Sequence, residues 1–142
     1  MNNSMTKQET GRKMGLDVGM ARIGIAVSDP LAIISTGLKA IKRDENSVNE
    51  IISLCKQYDI KEVVVGLPRN MDDSVGAQAQ DCLNFADKIS ECLGIKVIME
   101  DERLTSEAAK ENLTMRKVDF RKNKELIDIE SACIILQQYL DR

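Results

Sequence analysis

The chain has no histidine and no tryptophan, and only two phenylalanines and two tyrosines among its 142 residues. Without histidine there is no Ser-His-Asp or Cys-His nucleophile, no imidazole general base and no His-bearing zinc site. So few aromatic rings argue against a base-stacking platform of the sheet or barrel type. No apolar run approaches the ~20 residues that a membrane-spanning helix needs. Residues Met1 to Arg12 are polar and lack the apolar core of a signal peptide; they read as a flexible extension ahead of one domain over 13–142. Cysteine is sparse as well. Cys55, Cys82, Cys92 and Cys133 form no C-x-x-C pair and all sit in stretches with a helical pattern. They read as reduced thiols of a cytoplasmic protein, neither a disulfide frame nor a metal site. The formal net charge is −3, so any contact with a polyanion has to come from a local basic patch.

What is present is a regular alternation of strand and helix patterns. Apolar strands are expected at 14–19, 22–28, 36–42, 62–68 and 96–103. Helices are expected from Ser47 to about Tyr58, up to about Leu93 with Gly94 as the terminator, from Thr105 or Ser106 to about Met115, and from Glu125 to Leu140. Ser47 reads as the cap of the first helix. Asn70 to Val75 reads as a polar loop. The last helix carries an apolar stripe of Leu126, Ile129, Cys133, Leu136 and Leu140. Three valines in a row, Val63 to Val65, suit a strand covered on both faces. The order β-β-β-α-β-α-β-α-α implies an α/β fold with a mixed sheet and helices packed on it.

Four features could carry chemistry. Asp17 stands inside an apolar strand, where a carboxylate is costly unless a cation, a metal or hydrogen bonds compensate it; it could also simply open a hairpin turn. Glu100-Asp101-Glu102-Arg103 closes the fifth strand, where α/β sheets bind ligands. Alternation puts Glu100 and Glu102 on one face and Asp101 and Arg103 on the other, and such a run could also be a solvated strand end. Asp128 lies in the first turns of the last helix, beside Ile127 and Ile129, where it could also merely complement the helix dipole. The loop 116–124 holds Arg116, Lys117, Arg121, Lys122 and Lys124 against the single acid Asp119. Beside a carboxylate cluster it would supply phosphate contacts. Three carboxylates from separate elements, with no histidine near them, suit the hard cations Mg²⁺ or Mn²⁺.

These residues fall in recognisable strings. They are Gly15-Leu-Asp-Val-Gly19 with Arg22-Ile-Gly-Ile-Ala-Val27, Val63-Val-Val-Gly-Leu-Pro68 with Asn70-Met71, Asp101-Glu-Arg-Leu-Thr105, and Ile127-Asp128 with Ala132 and Ile134-Ile-Leu136. In this order and spacing the chain resembles the YqgF/RuvX family, the pre-16S rRNA nucleases and Holliday-junction-resolvase homologues of the RNase H-like superfamily. The resemblance implies a five-stranded RNase H-like sheet, its first three strands antiparallel and the rest parallel. It also implies a metal-dependent endonuclease, active on pre-16S rRNA or on branched DNA. Asp17, Glu102 and Asp128 match the family's acids and would be the catalytic and metal-holding groups, with Glu102 preferred over its neighbour Asp101. Arg22, Arg69 and Arg103 would grip phosphate, because a guanidinium binds it bidentately. Glu130, two residues after Asp128, points about 200° around the helix and should not join the site. The expected partners are nucleic acid, a second copy of the chain and ribosome-associated factors. Two other readings compete. The first strands could form the phosphate loops of a sugar-kinase-like nucleotide binder, although 142 residues cannot supply that fold's two lobes. A non-catalytic ribosome- or nucleic-acid-binding module is the other, and it has no evident need for crowded acids.

Overall fold

The computed structural model describes residues 11–68, 76–102 and 105–142, with side chains in the last segment described from residue 107. The strands are β1 (Lys13–Val18), β2 (Arg22–Ser28), β3 (Ser35–Lys42), β4 (Glu62–Pro68) and β5 (Lys96–Glu102). The helices are α1 (Ser47–Gln57), α2 (Ala77–Leu93), α3 (Thr105–Met115) and α4 (Glu125–Leu140). The five strands form one sheet in the order β3-β2-β1-β4-β5. β1–β2 and β2–β3 pair antiparallel, while β1–β4 and β4–β5 pair parallel. This is the mixed sheet that the element order implies. The loop expected at 70–75 lies outside the described residues.

Period-two alternation divides the sheet into two unlike faces. On one face Met14, Leu16, Val18, Ile23, Ile25, Val63 and Val65 pack against Ile51 and Cys55 of α1 and Cys82, Phe85 and Ile89 of α2. Gly94 ends α2 in the left-handed conformation at φ 68°, the conformation that glycine accepts without a Cβ penalty. The other face is built from small residues. Ala26 and Val64 meet Ala132, Ile135 and Leu136 of α4, and α3 packs on α4. A Cβ on Gly15 would stand 2.7 Å from Leu136 Cβ, and one on Gly24 would collide with the Asp128 carbonyl. The missing side chains let α4 lie directly on the strands.

The register of β3 serves the same packing. Between Ile25 and Ala26 the pairing with β3 shifts, so that Ala26 faces Gly37. The bulge sends Leu38 to the α1/α2 core and leaves Gly37 under Ile129, where a Cβ would meet Ile129 Cγ2 at 2.5 Å.

At its other end α4 is held by polar contacts. Lys13 Nζ and the Tyr139 hydroxyl both donate to Glu62 Oε1 at 2.9 Å. Arg142 donates to Glu100 Oε2 at 2.6 Å. Gly11 N donates to the Pro30 carbonyl at 2.7 Å.

Two details differ from the sequence pattern. Ser47 is not the cap of α1: Asn46 occupies that position, and the Ser47 hydroxyl instead donates to the Lys42 carbonyl and accepts from Asp44 N–H. On α4 the buried residues are Ser131, Ala132, Ile135 and Leu136, not the whole predicted stripe. The helix is apolar on most sides, and the close approach at Gly24 and Gly15 selects the face with the small residues.

The seat at Gly24 can be tested by filling it. Gly24→Val should destabilise the fold by about 1–3 kcal/mol, the usual cost of overpacking a tight core. Chemical denaturation should show a lower midpoint with an unchanged slope; an unchanged midpoint would mean α4 does not rest on β2.

Candidate active site at the carboxyl edge of the sheet

β1, β4 and β5 run parallel, so their carboxyl ends share one edge of the sheet. Asp17 is the penultimate residue of β1 and pairs with Gly24 of β2. Gly24 is also the residue on which the backbone of Asp128 rests. The contact that seats α4 therefore brings Asp128 to Asp17. Glu102 ends β5 and is paired with Pro68. A Cβ on Gly66 would collide with Glu102 Oε2, so the glycine makes room for this carboxylate between β4 and Ile135 of α4.

The three acids differ in surroundings. Asp17 is raised from 3.8 to about 7, first by burial and then by the charge of Asp128. Glu102 is raised from 4.5 to about 8 by burial, then by Asp17 and Asp101. Glu102 Oε2 is buried without a hydrogen-bond partner among the described residues. Asp128 accepts a 2.6 Å hydrogen bond from Arg22 Nε. Asp17 is thus the shared neighbour of the other two acids. Among the described residues no three acidic or cysteine side chains stand close enough together to cage a metal as arranged.

The donor set nevertheless suits a divalent ion. It is all oxygen, Asp17 and Glu102 have no cationic partner among the described residues, and one buried oxygen of Glu102 has no hydrogen-bond partner among them. The Arg22–Asp128 pair is half-exposed and contributes only ~0.2–1 kcal/mol, so a cation or a phosphate can replace it. Cys82 lies nearby but stays a thiol. Burial, followed by the charge of Glu102, pushes it up to about 12, and its Sγ donates to the Val18 carbonyl.

The two acids flanking Glu102 are placed elsewhere. Asp101 is exposed, and Glu100 is buried in its pair with Arg142. Glu130 turns away to accept from Arg116 at 2.6 Å and from Asn112, so Arg116 is held by an acid. Arg22, Arg121 and Lys124 line one hollow of about 470 Å³ together with Asp128. Lys117 borders a separate hollow beyond Phe120, and Lys122 is exposed. Arg69 and Arg103 lie outside the described residues.

Three positions were not singled out by the sequence pattern. Lys110 of α3 and Phe120 line the same hollow as Asp128. The signal for Phe120 was a ring set among five cations. Arg43 grips Asp81 through two 2.9 Å hydrogen bonds and donates to the Gly19 carbonyl, tying α2 to the turn that follows Asp17.

Comparison with known proteins places this geometry in a family. The family model described as "RuvX: Holliday junction resolvase" matches residues 11–142. The chain belongs to the RuvX family. A Bacillus cereus (strain AH187) relative named "Putative pre-16S rRNA nuclease" is 41% identical over 135 residues, covering 92% of this chain and 98% of its own. A Listeria monocytogenes serotype 4b (strain CLIP80459) protein of the same name is 40% identical over 134 residues, covering 92% and 97%. The fold of this RuvX family member also matches Thermus thermophilus RuvC in complex with a Holliday junction substrate, with TM-score 0.55 at 11% identity over 92% of this chain and 93% of that one. Fowlpox virus resolvase bound to Holliday junction DNA gives a TM-score of 0.58 at 14% identity, covering 92% and 97%. These likenesses place the sheet of this RuvX chain in the RNase H-like class of fold.

The raised acids give a pH signature. Both have folded-state values above their unfolded ones, so the stability they contribute is present below about pH 4 and is lost as pH rises through about 7 to 8. In chelator, thermal stability should therefore decline across that window. Asp17→Asn should flatten the decline and gain on the order of 1 kcal/mol at pH 8. A variant with the wild-type pH profile would mean that Asp17 is not shielded.

Proposed function

We propose that this chain is a metal-dependent endonuclease that hydrolyses phosphodiester bonds in structured RNA, with the 5′ end of pre-16S rRNA as its substrate, in the cytoplasm. The observation that carries the reading is the meeting of Asp17, Glu102 and Asp128 at one sheet edge, beside a hollow lined with cations. A purely structural edge has no use for two shielded carboxylates, one with an oxygen that has no partner among the described residues. The names of the relatives supply the RNA substrate, and the family to which the chain belongs supplies the nuclease class.

Asp17, Glu102 and Asp128 would hold Mg²⁺ or Mn²⁺. Such an ion, when bound, polarises a phosphate oxygen and makes water acidic enough to act as a nucleophile near neutral pH. The chain's own residues do the remaining work. Asp17 neighbours both other acids, so it would be the carboxylate shared by an ion that they hold. Arg22 bridges the acids and the cationic hollow, and it can exchange the Asp128 carboxylate for a substrate phosphate oxygen. Arg121 and Lys124 draw the strand toward the edge against a chain that is net negative overall. With that balance, binding should be strongly salt-dependent, and a homodimer and ribosome-associated factors are the partners expected to help present the RNA.

A second reading, cleavage of branched DNA, is favoured by the description of the matching family model. Both readings are tested by one panel: labelled structured RNAs and four-way DNA junctions incubated with Mn²⁺ or Mg²⁺. Precursor rRNA ends should be cut, and Asp17→Asn should lower the rate at least about 100-fold while retaining the fold. Cutting of junctions alone would favour the DNA reading. Wild-type and Asp17→Asn proteins that both bind RNA but cleave nothing would make the chain a binding module.

A further inference from the structure

Phe120 is the phenylalanine that the core does not use. Phe85 is buried in the α2 core beneath Arg43, whereas Phe120 is half-buried in the loop between α3 and α4 and forms a wall of the 470 Å³ hollow. Ile127 gives the hollow a second apolar surface, and Arg22, Lys110, Arg121 and Lys124 surround it with positive charge. Lys110 and Lys124 make no ion pair among the described residues, while Arg121 is shared with Asp119 at 3.2 Å. Asp128 belongs both to this hollow and to the acidic edge. A strand with a phosphate at the acids can therefore lay a neighbouring nucleotide over the hollow.

Shape and chemistry together select the occupant. The open hollow of about 470 Å³ has room for a group of about one nucleotide's size. One aromatic ring beside cations suits a flat base carrying an anionic phosphate, because every base offers a π-face and stacking needs no hydrogen-bond code. A base inside a duplex already has both faces covered, so only an unpaired one is available.

We propose that this hollow binds one unpaired nucleotide next to the cleaved phosphate, its base stacked on Phe120 and its phosphate held by Lys110 and Lys124. The inference rests on the nuclease reading only for the word cleaved; the pocket itself is defined by binding. It makes the chain selective for junctions between paired and single-stranded RNA.

The test uses the full chain in chelator and a hairpin RNA with a short single-stranded tail carrying 2-aminopurine at each tail position in turn. At one position the fluorescence should change on saturation. Removing the base at that position should weaken wild-type binding about tenfold. Phe120→Ala should weaken binding of the intact RNA by a similar factor, and the two losses should not add. Phe120→Trp should keep the base dependence. Lys110→Gln should lower the slope of log affinity against log salt by about one. Circular dichroism confirms that each variant is folded. The proposal is overturned if base removal weakens wild type and Phe120→Ala equally, if no tail position responds, or if the RNA does not bind. A cycle that behaves as expected in a protein that cleaves nothing sinks the nuclease reading and leaves the pocket; cleavage without the cycle does the reverse.

Discussion

Two carboxylates held in a shielded corner without enough positive charge are the constraint around which this molecule is arranged. Burial drives both Asp17 and Glu102 up, the charge of Asp128 adds to Asp17 and those of Asp17 and Asp101 add to Glu102, and Glu102 keeps an oxygen with no partner among the described residues. Such an arrangement costs stability. It persists because the rest of the fold fixes it: the glycine seat on β1 and β2 sets the height of α4, and the Glu62 and Glu100 clusters anchor that helix at its far end. Crowded, shielded acids of this kind mark a candidate site.

Arg22 is the link between this corner and the surface around it. Its guanidinium sits on Asp128 and also lines the cationic hollow. Positive charge there offsets part of the repulsion between Asp128 and Asp17, and in the proposed nuclease the same group would face a phosphate. Arg43, by contrast, works at a distance: it fastens the turn after Asp17 to α2 and touches none of the three acids. The loop between α3 and α4 is less basic in effect than in count, because Arg116 and Arg121 each spend charge on an acid, Glu130 and Asp119. Of the loop's other cations Lys124 shares the hollow with Phe120 and with Lys110 of α3, while Lys117 borders a separate one.

Much of this architecture could be read directly from the residues, because it rests on short-range periodicity. Alternation paired Glu100 with Glu102, and three valines in a row marked β4 as a strand covered on both faces. Gly94 marked the end of α2 because only a left-handed residue closes a helix there so cheaply. Other features depend on contacts between distant segments, and no local pattern carries them. Glu100 and Glu102 look alike on the strand, yet Arg142 takes up one and a gap over Gly66 shelters the other. The stripe on α4 misled because that helix is apolar on most sides, so its buried face was chosen by Gly24 and Gly15. Ser47 carries a capping side chain but spends it on the turn before the helix. The bulge opposite Ile25, which exchanges Leu38 for Gly37 beneath Ile129, has no sequence mark beyond the glycine itself.

The central claim of the proposed function is that Asp17 and Glu102, which have no cationic partner among the described residues, together with Asp128, whose Arg22 partner can be displaced, would receive a divalent cation. Titration calorimetry with Mn²⁺ at pH 8, in the absence of nucleic acid, tests it most directly. The account predicts saturable binding with proton release, abolished in Glu102→Gln, whose amide keeps the shape but cannot supply the charge. Equal Mn²⁺ affinity in wild type and Glu102→Gln, or no saturable binding by either, would contradict it.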